Sequence, residues 1–322
     1  MPTCITSGTH VSVDKLYGLF PHHVARAEAL IKLGLSASTV YRRCQPAGPW
    51  RRVLPGVVMF GKSPPTVSQR VQAALCYADP DGLVTGHHAL VLHGMKIPPP
   101  PPLSAVHVLV PKGRSLKSTP EVSVERTIRM PKAMMRKGYL VAPLERALLD
   151  TVRGFGNTEQ VRSLLAEAIW EHGLPPKLIT AELDAGNGRG SALPRRVLAE
   201  VVNGIRTEAE ALAATLVGAA RLPRPQWSMQ VDDENNAYLG PVSAWWDDVA
   251  MALDIDVSEH PFERTEDQHD NFLAASVVVV RTTPRQMRAS PRAFVDRLRQ
   301  AYQRASKRDR PLVTATAQHP RS

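Results

Sequence analysis

Cysteine is scarce here: three residues in 322, Cys4, Cys44 and Cys76. They are odd in number and lack metal-ligand spacing, so reduced thiols in a cytoplasmic protein are the simplest expectation. No apolar run approaches the roughly 20 residues that a bilayer crossing needs, so no membrane partner is expected. The first residues include an acidic one and contain no signal-type apolar block, which argues against secretion. Internal repeats and heptad seams are missing as well. The glycine-rich Gly186-Asn187-Gly188-Arg189-Gly190 lacks the Lys-Ser/Thr of a phosphate-binding loop and reads as a linker. His87, His88, His93 and His107 have no carboxylate or cysteine at ligand spacing, and with Ser123 and Glu125 they form no triad order. They are expected to be satisfied structural histidines.

What the chain does have is charge, unevenly placed. The net charge of +10 is made of +11 over residues 1–150, a balance over 151–200, −10 over 201–280 and +9 over 281–322. A basic half beside an acidic block points to different partners for different parts. With 43% hydrophobic residues, the chain is long enough for two or three domains with their own cores.

The first sixty residues carry the strongest pattern. Val24, Ala27, Leu30 and Ile31 recur at helical spacing, predicting a helix with one apolar face. Gly34 stands where a left-handed residue ends that helix, and Ser36 can cap the next. In that second helix Val40 faces inward, leaving Ser38, Thr39, Tyr41, Arg42 and Arg43 on other faces. From Trp50 to Phe60 the pattern alternates and ends at Gly61, which suits the two strands of a wing carrying Arg51 and Arg52. Helix, turn, helix and wing in this order make double-stranded DNA the first partner to consider. The plainer alternative is an αα-hairpin used only for packing, with its arginines solvated.

Downstream, helices are predicted over 66–78, 143–152 and 158–172, a strand and helix over 83–95, and strands over 106–110 and 122–127. The proline run Pro98–Pro102 reads as an extended connection. After the glycine-rich break, Thr207 and Glu210 have capping-box spacing at the head of a helix. Strand-like segments follow at 226–231, 238–244 and 249–257, then a helix over 266–275, the buried run Val277–Val280 and a helix over 291–302. That order predicts a small α/β sandwich. The arginines from Arg281 to Arg299 suit either DNA or the polar face of a terminal helix. The whole is an α+β chain with a winged helix-turn-helix over 1–64, an α/β middle domain over 65–185, an α/β domain over 200–303 and a basic tail, expected to be disordered, over 304–322.

Four segments in this order, LGLSASTVYRR, WRRVLPGVV, VTGHHALVLHGM and APLERALLD, make roughly residues 15 to 185 resemble the AbiEi-type antitoxins of bacterial toxin–antitoxin systems. The resemblance implies an autorepressing transcriptional regulator that binds its promoter operator and opposes a cognate toxin. The DNA-contacting residues would be Ser38, Thr39, Tyr41, Arg42, Arg43, Arg51 and Arg52.

The third region resembles endonuclease-like domains of the PD-(D/E)XK and very-short-patch-repair type. There carboxylates hold a metal, normally Mg²⁺, that activates water. Glu210 matches the acid of the family's first helix, and Asp254-Ile255-Asp256 its acidic strand motif. The first-strand aspartate falls on Ser243, a poor ligand for a hard cation, and the charged stretch after the motif, Glu263 to Asp267, is short. Asp247, with Asp248, replaces the missing ligand only if the strand register differs. The reading is therefore a non-enzymatic binding module needing no cofactor. The alternative is a Mg²⁺-dependent endonuclease using Glu210, Asp247, Asp254 and Asp256.

Overall fold

The computed structural model describes residues 13–97, 105–186, 188–257 and 266–317; the proline run at 98–102 and residues 263–265 lie outside them. The fold is α+β, and it divides into two compact units, one ending at Thr151 and the other beginning at Val152.

The first unit opens with α1 (Val13–Leu19), β1 (Val24–Arg26), α2 (Ala27–Lys32) and α3 (Ala37–Arg43), followed by β2 (Arg51–Leu54) and β3 (Val57–Met59). Gly34 takes φ 98°, the left-handed conformation that only glycine adopts without steric cost. Ser36 Oγ accepts from the Thr39 N–H at 3.1 Å, a side-chain cap worth about 1 kcal/mol. One expectation is corrected here. Val24 belongs to a strand, paired with Met59 in the order β1-β3-β2, and Ile31 is exposed. The helical spacing spanned a strand-to-helix junction, so Val24 fills the core from the sheet. Trp50, fully buried, anchors that core with Leu16, Leu30, Val40, Val58 and Phe60, its ring 4.9 Å from that of Phe60.

Helix α4 (Val67–Ala78) begins in a capping box between Thr66 and Gln69. It packs on β1, β2 and β3 and also on the next sheet. That sheet is built from β4 (Leu83–Val84), β5 (Val106–Pro111), β6 (Val122–Thr127), β7 (Met134–Arg136) and β8 (Tyr139–Val141), in the order β6-β5-β4-β8-β7. Helices α5 (Gly86–His93) and α6 (Leu144–Val152) complete the region. Tyr139 on β8 stacks on His22, the hydroxyl 2.6 Å from His22 Nε2, so the small and large sheets are joined by a polar contact as well as by α4.

The second unit starts with α7 (Thr158–Ala166), α8 (Pro176–Ala185) and α9 (Ala192–Val202), with α9 packed on both others. The helix expected over 158–172 is not uniform: past Ala166 it widens into a π turn over Glu167–Glu171, before Gly173 at φ 63°. Helix α10 (Glu208–Ala220) is followed by β9 (Gln226–Asp232), β10 (Tyr238–Trp246), β11 (Met251–Ile255), α11 (Glu266–Ala274), β12 (Val278–Thr282), α12 (Pro284–Ala289), α13 (Pro291–Ser306) and β13 (Thr314–Ala317). The sheet order is β12-β11-β10-β9-β13; β12 runs parallel to β11 and the other pairs are antiparallel. Met251, Leu253 and Ile255 pack against Ala209, Ala213 and Val217 of α10 and against α13, while Ala250 and Ala252 pack with Phe272 of α11. The sheet is thus covered on both faces, as period-two alternation allows.

The stretch beyond Tyr302 is also corrected. α13 continues to Ser306, and Thr314–Ala317 pairs with β9 from Asp232 to Met229. Two of its basic residues are engaged: Arg310 bonds Asp247 and the Val313 carbonyl, and Arg308 reaches the Ala250 carbonyl. The Asp247 and Ala250 partners lie some sixty residues upstream, beyond any local pattern.

Candidate nucleic-acid interface

The second helix of the helix-turn-helix presents Ser38, Tyr41 and Arg42 to solvent, with Tyr41 59% exposed. Thr39 is half-buried and turned inward along the helix, accepting from the Ser36 hydroxyl at 2.9 Å. Arg43 does not share the exposure of Arg42. Its guanidinium lies 5.0 Å from the centre of the Trp50 ring, so cation–π attraction holds it against the core. The backbone secures the same corner. Trp50 N–H donates to the Arg43 carbonyl at 2.9 Å, and a Cβ on Gly48 would meet that oxygen at 2.2 Å.

On the wing, Pro55 and Gly56 alone separate β2 from β3, with Gly56 at φ 72°. Neighbouring strand residues point to opposite faces, so Arg51 and Arg52 part company. Arg51 donates to the Ser63 carbonyl at 3.2 Å, whereas Arg52 is exposed. Lys62, which carries no motif in the sequence, donates to the Gln45 carbonyl at 2.8 Å, just beyond the end of α3. Cationic groups are favoured at a helix C-terminus. Arg52 and Lys62 both act electrostatically on Cys44, whose thiol is nonetheless pushed up by burial. The site therefore gathers Arg42, Arg52 and Lys62 around the end of α3, beside the polar residues of its exposed face. Only the position of Lys62 directly after the wing glycine hinted at its part.

The segments VTGHHALVLHGM and APLERALLD meet around a buried charge network. Thr85 Oγ1 donates to Asp150 Oδ2 at 2.6 Å, and Arg146 Nε reaches both Asp150 oxygens at 2.8 Å. Arg146 also bonds Glu125 at 2.7 Å, which lies 3.1 Å from His107. Burial pushes the Asp150 carboxyl up despite its arginine partner. His93 Nε2 is 2.8 Å from the Ala142 carbonyl oxygen. His88 is buried and its Nε2 has no hydrogen-bond partner among the described residues. Desolvation, assisted by His87 and Arg70, lowers its pKa to about 4.

No family model and no curated protein matches the sequence. A solved structure, the RV2827C protein from Mycobacterium tuberculosis, is similar at a TM-score of 0.40 and 13% identity, over 55% of this chain and 71% of that one.

The acids of the second unit are kept apart. Glu210 closes a capping box: its carboxylate accepts from the backbone N–H groups of Arg206 at 2.7 Å and Thr207 at 2.9 Å, and from the Ser228 hydroxyl at 3.0 Å. It belongs to α10, which covers one face of the sheet. Asp254 alternates with Leu253 and shares the face of Ala252, opposite to α10. It lies 3.6 Å from Arg281. Asp256 follows β11, its N–H donating to the Thr282 carbonyl. One step along from the Ala244–Leu253 pair, Ser243 falls opposite Asp254, and its hydroxyl accepts from the Ile255 N–H at 3.1 Å. Asp247 lies past the end of β10, four residues from Ser243 and so about 13 Å away along the strand. Its carboxylate takes the Trp245 indole N–H and the Arg310 guanidinium, which hold its pKa low. Among the described residues no three His, Cys, Asp or Glu are grouped to hold a metal, and these carboxylates do not fit a shared Mg²⁺.

Three of the arginines between 281 and 299 meet groups of the second unit on or beside α10 and α13. Arg299 caps the last carbonyls of α10 at 3.1 Å, Arg288 pairs with Glu208 and Arg297 covers Phe294.

Proposed function

We propose that this chain is a regulator that binds double-stranded DNA at its own promoter, of the kind the AbiEi resemblance implies, and that it opposes a toxin in the cytoplasm without cutting DNA. The observation that carries this reading is the exposed face of α3, with Ser38, Tyr41 and Arg42 flanked by Arg52 and Lys62. Recognition helices of this type enter the major groove while neighbouring cations hold phosphates. Against a cutting role stand Glu210, occupied by its cap, and Ser243, occupied by a backbone N–H.

The test is fluorescence anisotropy with a duplex from the promoter, titrated over a range of salt. Replacing Arg42, Arg52 and Lys62 together by alanine is expected to weaken binding and to flatten the salt dependence by about one unit of slope for each phosphate left without its cation. Arg43→Ala is expected to act through the Trp50 corner, lowering stability more than the slope. Unchanged affinity and slope in the triple variant would refute the assignment. Nicking of a supercoiled plasmid with Mg²⁺, abolished in Asp254→Ala, would refute its non-cutting part.

A further inference from the structure

In the first unit, one face of the five-stranded sheet meets α6 where Arg146 bonds Glu125 and is crossed elsewhere by a strap. β6 lies at one edge and β7 at the other, yet only residues 128–133 connect them. Crossing four strand spacings takes about 19 Å, within the roughly 24 Å that the steps from Thr127 to Met134 can span. The strap is one chain wide. Met130 plugs it into the sheet, packed on Leu83, Leu109 and Ala142. Beside it, Leu83, Leu140, Met130 and Pro131 line a groove of about 330 Å³. Met135 and Leu140, a directly opposed cross-strand pair, are 59% and 37% exposed, and Ile128 at the head of the strap is 84% exposed. The charge around this apolar surface has one dominant sign. Residues 128–137 hold Arg129, Lys132, Arg136 and Lys137 and no acid; Lys132 and Lys137 are exposed, Arg136 alternates to the face opposite Met135, and among the described residues Asp81 is the one carboxylate lining the groove.

We propose that this strapped face is a docking surface for a partner protein's segment that is acidic and carries bulky apolar side chains. Exposed Met135 and Leu140 beside the exposed Lys132 and Lys137 suit such a segment, because the thioether adapts to varied apolar shapes while the cations select the sign of the partner. A second copy would bring the same basic strap against itself. Nucleic acid would satisfy the cations but leave Met135 and Leu140 against a charged backbone. The inference does not depend on promoter binding by α3.

The experiment uses the full chain and a fluorescein-labelled synthetic helix of glutamate and leucine, with its lysine-for-glutamate counterpart as control. The acidic peptide is expected to bind saturably and the basic one not. Met135→Ser, which removes one apolar anchor from an exposed position, is expected to weaken it about tenfold. The double reversal Lys132→Glu and Lys137→Glu, also at exposed positions, is expected to abolish discrimination between the peptides. Equal binding of both peptides, or insensitivity to both variants, would overturn the proposal. So would self-association that disappears in Met135→Ser, which would make the face an interface between copies, or displacement of the peptide by a short duplex, which would make it a DNA surface.

Discussion

His88 offers a direct check on the electrostatics of the first unit, because its ring is buried and its Nε2 has no partner among the described residues. In the unfolded chain a histidine takes up its proton near 6.5; in the fold His88 does so only at about 4. Between those values the unfolded chain binds a proton that the native protein refuses, so stability is lost as pH falls through this window. At about pH 5 the loss from this one residue is about 2 kcal/mol relative to neutral pH, from the linkage of proton binding to folding. His88→Leu replaces the ring by an apolar side chain that has no proton to refuse. It is expected to be neutral or mildly stabilising near pH 7.5 and to lack about 2 kcal/mol of the acid-side loss. Urea unfolding of both proteins at the two pH values, followed by circular dichroism, gives the comparison, and subtraction removes every other titrating group. If the variant loses as much stability as the parent between the two conditions, the ring is hydrated in the native state and the reasoning fails.

Two further outcomes follow from buried polar groups. Glu210→Ala would strip the acceptor from two backbone N–H groups and from Ser228, with an expected loss of about 2–4 kcal/mol in urea unfolding; Glu210→Gln, which keeps one carbonyl oxygen, should lose less than half of that. Arg146→Met should destabilise by about 3–5 kcal/mol by leaving Asp150 buried without its guanidinium. Adding Asp150→Leu should restore most of that loss, and simple additivity of the two changes would show that the pair is not coupled.

Punctuation residues made much of this fold legible. Gly34 and Ser36 located the helix-turn-helix, and Thr207 with Glu210 located the head of α10, because caps and left-handed turns are decided by chemistry within a few residues. Long-range decisions were not legible. Val24 sat at helical spacing from Ala27 yet joined a strand, because its partner is Met59. β7, β8 and β13 are each three or four residues long, too short for a periodic signal, and β13 exists only through β9. At the candidate site the arginines were visible but their fates were not. Arg42 and Arg43 are neighbours with the same chemistry, and only the position of Trp50 separates an exposed cation from a structural one. Lys62 was missed because its role depends on where α3 ends in space.

Helix α4 lies against both sheets of the first unit and is therefore a shared wall between two cores. A wall of that kind limits how the molecule can be cut or recombined. The helix-turn-helix and wing, excised after residue 64, would expose Val24, Val57 and their neighbours where α4 had sheltered them, so the smallest portable form of this module must carry α4. Yet α4 brought alone would expose its other side. By this logic, gene fusions or chimaeras that exchange this head should tolerate a junction just after α6, beside the boundary between the units, better than one within the first unit.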